Sequence, residues 1–108
     1  MNTKNLKNLR SRIVETKPER VFREELDRRG LEYQEQFPTR SGFILDFAFP
    51  EKRICVEIDG VHWHSTKKQR KRDRFREYIL KRGGWKIVRF WCYEVYGDVG
   101  KCVDSIME

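Results

Sequence analysis

Cysteine and long apolar runs are both scarce in this sequence of 108 residues, and each shortage excludes a class of protein. The three cysteines, Cys55, Cys92 and Cys102, are odd in number and widely spaced, so neither a disulfide framework nor a zinc knuckle is indicated. No apolar run approaches the roughly 20 residues of a membrane span, and the opening MNTKNLKNLR lacks the apolar stretch of a secretion signal. We therefore expect a cytosolic protein in a reducing compartment, with no membrane partner.

Basic residues outnumber acidic ones, with Lys+Arg 24 against Asp+Glu 17 and a net charge of +7. Such an excess favours a polyanionic partner, most often nucleic acid. The length suits one domain with a real core and is short for two. We assign residues 16–108 to that domain. Residues 1–15 are polar and basic, which leaves an arm, an interdomain linker and a frayed helix all open.

The first helix is indicated by a capping box. Thr16 and Glu19 stand three apart with Pro18 between them, which is typical of a helix start and predicts a helix ending at Gly30. Within it Phe22 and Leu26 form an inward stripe, because residues four apart share a helix face. Glu19 lies on that same stripe.

Two apolar runs, GFILDFAFP and KRICVEIDG, read as a β-hairpin around a turn at Pro50, after a short strand over residues 31–37. Side chains alternate along a strand, so Glu57 and Asp59 share one face, and Asp46 can meet Glu57 across the hairpin.

A helix rich in Lys and Arg follows over residues 67–82, in which Phe75, Tyr78, Ile79 and Leu80 are left to pack. WKIVRFW is then a buried strand. Residues 93–100 are expected to be irregular and residues 99–107 to form a last short helix. The order α-β-β-β-α-β-α predicts an α/β domain with a mixed sheet flanked by helices.

Within the segment LDFAFPEKRICVEIDGVHWH, four acids and histidines lie in or just after the two apolar runs beside Asp46: Glu57, Asp59, His62 and His64. Each uncompensated charge taken out of water costs several kcal/mol, so carboxylates within apolar strands need a cation, a partner or a function. A divalent metal ion would satisfy them. Mg²⁺ fits best because it prefers a few protein oxygens, with water and substrate phosphate completing its shell, and Mn²⁺ is a suitable substitute.

The pieces TKPE, LDF, VEIDGVHWH and KRDRFREYILKRGGWKIVRFW, in this order, resemble the very-short-patch-repair endonucleases, a branch of the restriction-endonuclease-like fold (PD-(D/E)XK type). They are also similar to the phage homing endonucleases of the EDxHD type, which share that fold. The resemblance covers about residues 16–91. It implies a metal-dependent DNA endonuclease in a bacterial or phage-infected cell, with double-stranded DNA as its substrate.

The resemblance implies a role for each residue that matches the motif: Glu19, Asp46, His64 and Asp73 would be catalytic. Asp46 would also bind the metal, together with Glu57, the backbone carbonyl of Ile58 and Asp59. His64 would be general acid or base, and Asp73 would fix its tautomer.

Two positions depart from the family patterns. Asp59 stands where the repair enzymes have another histidine and where many restriction enzymes have the lysine of D/E-x-K. Val61 occupies one cysteine position of the structural zinc site that the repair enzymes carry, so we predict no structural zinc.

The basic helix brackets Asp73 and is expected to bind the DNA backbone. Its seven predicted contacts are Lys67, Lys68, Arg70, Lys71, Arg72, Arg74 and Arg76.

Ordinary structural explanations stand beside these roles. Glu19 would also serve simply to close the capping box, Asp46 to face solvent on an open sheet, and Asp73 to form a helix-surface salt bridge. His62 is expected to be a bystander.

The leading hypothesis is the cleavage domain of a phage-type homing endonuclease. A short-patch nicking repair endonuclease and a non-catalytic DNA-binding module of the same fold are the alternatives. Target recognition is expected from a domain upstream in a longer parent chain, or from loops and a homodimer.

Overall fold

The computed structural model describes residues 15–60 and 66–107, which form three helices and four strands. In chain order these are α1 (Lys17–Arg28), β1 (Gln34–Pro38), β2 (Ile44–Phe49), β3 (Ile54–Asp59), α2 (Lys67–Arg82), β4 (Lys86–Trp91) and α3 (Cys92–Met107). The sheet order is β1-β2-β3-β4, with β1-β2 and β2-β3 antiparallel and β3-β4 parallel. This is the α-β-β-β-α-β-α order expected from the sequence, with the mixed sheet that it predicts.

Helix α1 begins at the predicted capping box. The Glu19 N–H donates to the Thr16 hydroxyl oxygen at 3.5 Å, and the Thr16 N–H donates to the Glu19 carboxylate at 3.3 Å. These two bonds satisfy backbone donors that a helix start leaves without intrahelical partners. Glu19, Phe22 and Leu26 are buried, as their shared stripe predicts.

Strands β2 and β3 form the expected hairpin, with Phe47 opposite Val56 and Ala48 opposite Cys55. Helix α2 then carries the chain back so that β4 lies parallel to β3, since two parallel strands need a crossover connection. Its bounds are those predicted. Gly84 has φ +88 in the turn that leads into β4, a conformation that glycine adopts without steric cost.

Two apolar clusters cover the two faces of the sheet. On one face α1 and α3 pack on the strands, with Phe22, Phe47 and Val103 at the centre. On the other, Leu80 of α2 and Trp85 pack against Cys55 and its neighbours. The sheet thus lies between α2 and the pair α1 and α3. Within the described ranges, no helix is long and apolar enough to cross a bilayer.

Two expectations are wrong. The last helix starts at Cys92 rather than near residue 99, because the Glu94 carboxylate accepts the Trp91 N–H at 2.7 Å and so caps a helix directly after β4. Its irregularity is confined to a kink at Asp98, with φ −162 and ψ 86. Phe75 and Tyr78 of α2, expected to pack, are 61% and 54% exposed.

Candidate active site

Two carboxyl groups meet on the α2 side of the sheet. The β2-β3 pairing aligns Phe47 with Val56, and one step further it brings Asp46 opposite Glu57. The two carboxyls are within hydrogen-bonding reach of each other. Burial, and next the hydrogen bond and negative charge of Glu57, raise the pKa of Asp46 from its ordinary 3.8 to about 8. The neighbourhood of Asp46 thus favours its protonated form more than water does.

Among the described residues, Arg76 of α2 contacts this pair, and its guanidinium forms an ion pair with the Glu57 carboxylate. The Arg76 and Glu57 side chains are only 19% and 11% exposed. An ion pair so shielded from water is weakly screened, so breaking it by removing one partner is costly.

Glu19 approaches the pair from α1. Its residue is 9% exposed, and burial raises the pKa of its carboxyl despite the opposing hydrogen bonds from Thr16. The negative charges of Glu19 and Glu57 act on each other, and Glu19 also acts on Asp46. Glu19 therefore closes the capping box of α1 and also lies close enough to Asp46 and Glu57 to act on their charges.

Asp59 lies two residues beyond Glu57 on β3. Its carboxylate pairs with Arg89 of β4 at 3.6 Å, and Arg89 in turn contacts Glu77 of α2 at 3.3 Å. Glu77 and Asp59 thus share one guanidinium. The other predicted metal ligand is the backbone carbonyl of Ile58, which lies on β3 between Glu57 and Asp59. The Ile58 side chain packs on the opposite face of the sheet, with α1 and α3.

Asp73 lies on the sheet-facing stripe of α2. It precedes Arg76 by three residues and Leu80 by seven, and all three are at least partly buried. Within the described part of the chain Asp73 forms no ion pair, although arginines flank it in sequence. The ordinary explanation of a helix-surface salt bridge is therefore not met among these residues.

The remaining predicted DNA contacts behave as a group distinct from Arg76. All six are exposed on α2, which gives this side of the molecule a strongly positive surface. They are Lys67, Lys68, Arg70, Lys71, Arg72 and Arg74. Phe75 and Tyr78 are exposed on the same helix.

The predicted His64, with His62 and Val61, falls within residues 61–65, outside the described residues. These residues connect the end of β3, at Asp59, to the start of α2, at Lys67.

The Asp46 and Glu57 carboxylates have the donor chemistry that Mg²⁺ requires. Among the described residues no group of three or more His, Cys, Asp or Glu side chains is arranged to hold a metal ion. Mg²⁺ commonly takes one or two carboxylates and fills its octahedron with waters and substrate phosphate, so two opposed carboxylates are a sufficient protein share. The raised pKa of Asp46 is the effect expected of two acidic groups held together with incomplete counter-charge.

Comparison with known proteins agrees with this architecture. The REase_MTES_1575 family model matches residues 19–108, which include both carboxylates and all of α2. The chain belongs to the REase_MTES_1575 restriction endonuclease family. The restriction-endonuclease-like fold expected from the sequence is thereby confirmed, and the chain is a nuclease-type enzyme.

Two curated relatives of this REase_MTES_1575 member are named as nicking enzymes. The type II nicking enzyme V.NaeI of Lentzea aerocolonigenes is 31% identical over an alignment of 114 residues, gaps included, that covers 84% of this chain and 69% of the enzyme. The type II nicking enzyme V.NmeDIP of Neisseria meningitidis serogroup C is 28% identical over 116 residues, covering 86% and 76%.

A solved structure matches the fold of this REase_MTES_1575 member. The catalytic domain of the homing endonuclease I-Bth0305I superposes with a TM-score of 0.67 at 26% identity, covering 85% of this chain and 91% of that domain. The homing endonuclease resemblance noted from the sequence is thus confirmed at the level of fold and family.

Sequence reasoning missed two features of this site. Arg76 was grouped with the DNA contacts, yet it points inward to Glu57, and Arg89 was assigned no role, yet it joins Asp59 to Glu77. The signal for the first was available: Arg76 precedes the buried Leu80 by four residues and so shares its face. The second follows from the parallel register, which pairs Glu57 with Arg89.

Proposed function

We propose that this domain is a Mg²⁺-dependent endonuclease that hydrolyses phosphodiester bonds of double-stranded DNA, and that Asp46 and Glu57 hold the ion. The observation that carries the proposal is the opposed carboxyl pair of buried Glu57 and half-buried Asp46, because it concentrates acidic groups where a nuclease needs a hard cation. Family membership and the nicking and homing relatives support DNA as the substrate.

In this reaction a water oxygen bonds to phosphorus, the bond from phosphorus to the leaving ester oxygen breaks, and the leaving oxygen gains a proton. A bound Mg²⁺ would supply charge stabilisation at the phosphoryl oxygens and acidify a coordinated water. Asp46 and Glu57 provide its ligands, with the Ile58 carbonyl and Asp59 as the further proposed donors. Asp59 would have to leave Arg89 to take part.

The other proposed roles concern proton transfer. His64 takes the proton from the attacking water or delivers one to the leaving oxygen, since an imidazole titrates near neutral pH. Asp73, half-buried on the inner stripe of α2 and without an ion pair among the described residues, orients that imidazole. Glu19 orients a water or the histidine from the α1 side, where it faces Asp46 and Glu57.

The exposed basic face of α2 binds the DNA backbone in this proposal. Its six exposed Lys and Arg side chains lie on the helix that brings Arg76 to the carboxyl pair, so phosphates bound there are close to the proposed reaction site. Such contacts position the duplex and carry no sequence information. Selection of a target is therefore assigned to a domain upstream in a longer parent chain, or to loops and a homodimer.

We propose that the domain cuts one strand per encounter. One carboxyl pair serves one scissile phosphate, and two curated relatives are named as nicking enzymes. The second candidate is the cleavage module of a homing endonuclease, which the structural match to the I-Bth0305I catalytic domain favours. In that case two copies, or two successive cuts, would produce the double-strand break.

Cleavage of supercoiled plasmid tests both proposals. We expect nicking with Mg²⁺ or Mn²⁺ and none in EDTA, and loss of cleavage in Asp46→Asn and Glu57→Gln with salt-sensitive DNA binding retained. Glu51→Gln, an exposed carboxylate in the hairpin turn, is the matched control and should cut as the wild type does. Nicked circles that persist support the nicking enzyme, and early linear product supports the homing module.

A wild type that binds DNA and never cuts with any divalent ion would refute the nuclease proposal. That outcome would favour the binding module of the same fold. His64→Ala belongs in the same series, because cleavage that survives it would remove the histidine from the proton transfer.

A further inference from the structure

Arg76 differs from the other basic residues of its helix. Six of the seven predicted DNA contacts on α2 are exposed, whereas the Arg76 side chain is turned to the sheet and pairs with Glu57. Its guanidinium carbon also lies 6.0 Å from the centre of the Phe43 ring, which offers the planar group an apolar surface beside Glu57. Arg76 thus belongs to the carboxyl pair rather than to the outer surface.

The guanidinium contacts a Glu57 oxygen, Oε1, that would be a metal ligand. A divalent ion and a guanidinium cannot both occupy this oxygen at close range, since the two cations repel strongly in a site with little water. Occupation of Oε1 by an ion therefore requires Arg76 to move away, and an ion bound at the other oxygen of the same carboxylate would be repelled by the guanidinium. The displaced guanidinium would then be close to a phosphate anion of the proposed substrate, which is a suitable new partner for its charge.

We propose that Arg76 is the resident cation of the site, which holds Glu57 until a divalent ion arrives and then transfers its guanidinium to the scissile phosphate. This inference rests on the proposed nuclease function and adds to it. Arginine suits the exchange because its planar fork matches both carboxylate and phosphate in bidentate geometry. Ion binding and DNA binding then favour each other, since the ion releases Arg76 and the phosphate gives it a new partner.

A purely structural salt bridge makes different demands. It would stabilise the fold and weaken with neither ion nor DNA, and its loss would lower stability without linking the two ligands. The exchange, by contrast, requires Arg76 to oppose ion binding in the absence of DNA. Ion affinity without DNA is thus the property that separates the two roles.

The first measurement is Mn²⁺ affinity without DNA, by titration calorimetry or by the paramagnetic signal of free Mn²⁺. Arg76→Met keeps the apolar stem and removes the charge, and should bind Mn²⁺ at least about tenfold more tightly than the wild type. Lys81→Met removes one charge from an exposed position of the same helix and should change the affinity by less than about twofold. Arg76→Met binding no tighter than Lys81→Met would overturn the inference.

The second measurement is the coupling between Ca²⁺ and DNA. In the wild type, saturating DNA should raise Ca²⁺ affinity through two contributions, direct coordination of phosphate by the ion and release of Arg76, so in Arg76→Met the rise should be several-fold smaller than in the wild type. Arg76→Lys keeps a charge without the fork, so it should bind Mn²⁺ alone within about threefold of the wild type and still lose most of the coupling. Full coupling in Arg76→Lys would overturn the transfer to phosphate.

Arg76→Met leaves Glu57 without its partner, so its folding needs a check by circular dichroism. If it does not fold, the Arg76→Lys variant provides the test. Failure of the nuclease proposal is distinguishable, because it appears as a wild type that does not cut plasmid. A wild type that cuts, with Mn²⁺ affinity unchanged in the Arg76 variants, refutes this inference alone.

Discussion

Replacing Asp46 by asparagine should make the ion-free protein more stable at neutral and basic pH. The half-buried Asp46 carboxyl lies against Glu57, and the pKa of Asp46 is raised from its ordinary 3.8 to about 8 by desolvation first and by Glu57 next. Asparagine resembles the protonated carboxyl in shape, and its amide can donate the same hydrogen bond to Glu57 without ever ionising.

The magnitude follows from proton linkage. The folded state holds the Asp46 proton more tightly than the unfolded chain does, so the free energy of unfolding decreases as pH rises through the window from about 4 to about 8. The decrease is about 1.4 kcal/mol per pH unit for one such group. From about pH 5.5 to about pH 7.5 the wild type should therefore lose roughly 3 kcal/mol relative to Asp46→Asn, which for a domain of this size is roughly 10 °C or more in melting temperature.

The assay is thermal and urea unfolding of both proteins in EDTA at several pH values in this window. Other groups that titrate there, such as Glu35, occur in both proteins and cancel in the difference. Glu51→Gln, an exposed carboxylate in the hairpin turn, is the control and should follow the wild type at every pH. A difference between Asp46→Asn and the wild type that is constant with pH would refute the reasoning, because it would mean that Asp46 ionises equally in the folded and unfolded states.

Three further predictions address the fold and the DNA-binding face. Thr16→Ala should lower the free energy of unfolding by about 1 kcal/mol in urea titrations, because it removes the hydrogen bond that caps α1. A loss of only about 0.1 to about 0.2 kcal/mol would contradict a stabilising role for this cap. Burial and the neighbouring Glu15 raise the pKa of the half-exposed Glu35 to about 7, so the free energy of unfolding should decline between about pH 5 and about pH 7. Glu35→Gln should make this decline smaller by about 0.5 to about 1 kcal/mol in urea titrations, and an unchanged decline would refute the shift. The double variant Lys71→Ala with Arg74→Ala should reduce the slope of log affinity for DNA against log salt by about 1.8, measured by fluorescence anisotropy, and an equal slope would remove this face from the DNA contact.

Much of the fold follows from local patterns. The capping box at Thr16 determines where α1 begins, and the spacing of Phe22 and Leu26 determines which face it buries. The alternation in β2 and β3 was enough to predict that Asp46 and Glu57 meet, because the hairpin register follows from the two apolar runs. These signals depend on neighbours in sequence and need no knowledge of the tertiary packing.

The wrong expectations concern features that depend on packing between segments distant in sequence. Phe75 and Tyr78 are apolar enough to be expected inside, yet the inner stripe of α2 is set by the buried Leu80, and neither lies on it. The start of α3 is hard to predict because the Glu94 cap on the Trp91 N–H is a single hydrogen bond without a strong sequence signal.

Arg76 illustrates why charge counts along a helix overstate the surface available to DNA. Because α2 crosses between two parallel strands, one stripe of it must face the sheet, and the buried Leu80 fixes the phase of that stripe. Positions three, four and seven residues before Leu80 then point to β3 and β4, where Glu57 is buried. A basic residue at one of them is drawn to that carboxylate, since a buried charge without a partner costs more than a surface contact gains. A residue so placed reaches DNA only by exchange, which makes helix phase, rather than charge number, the property that separates a site residue from a backbone contact.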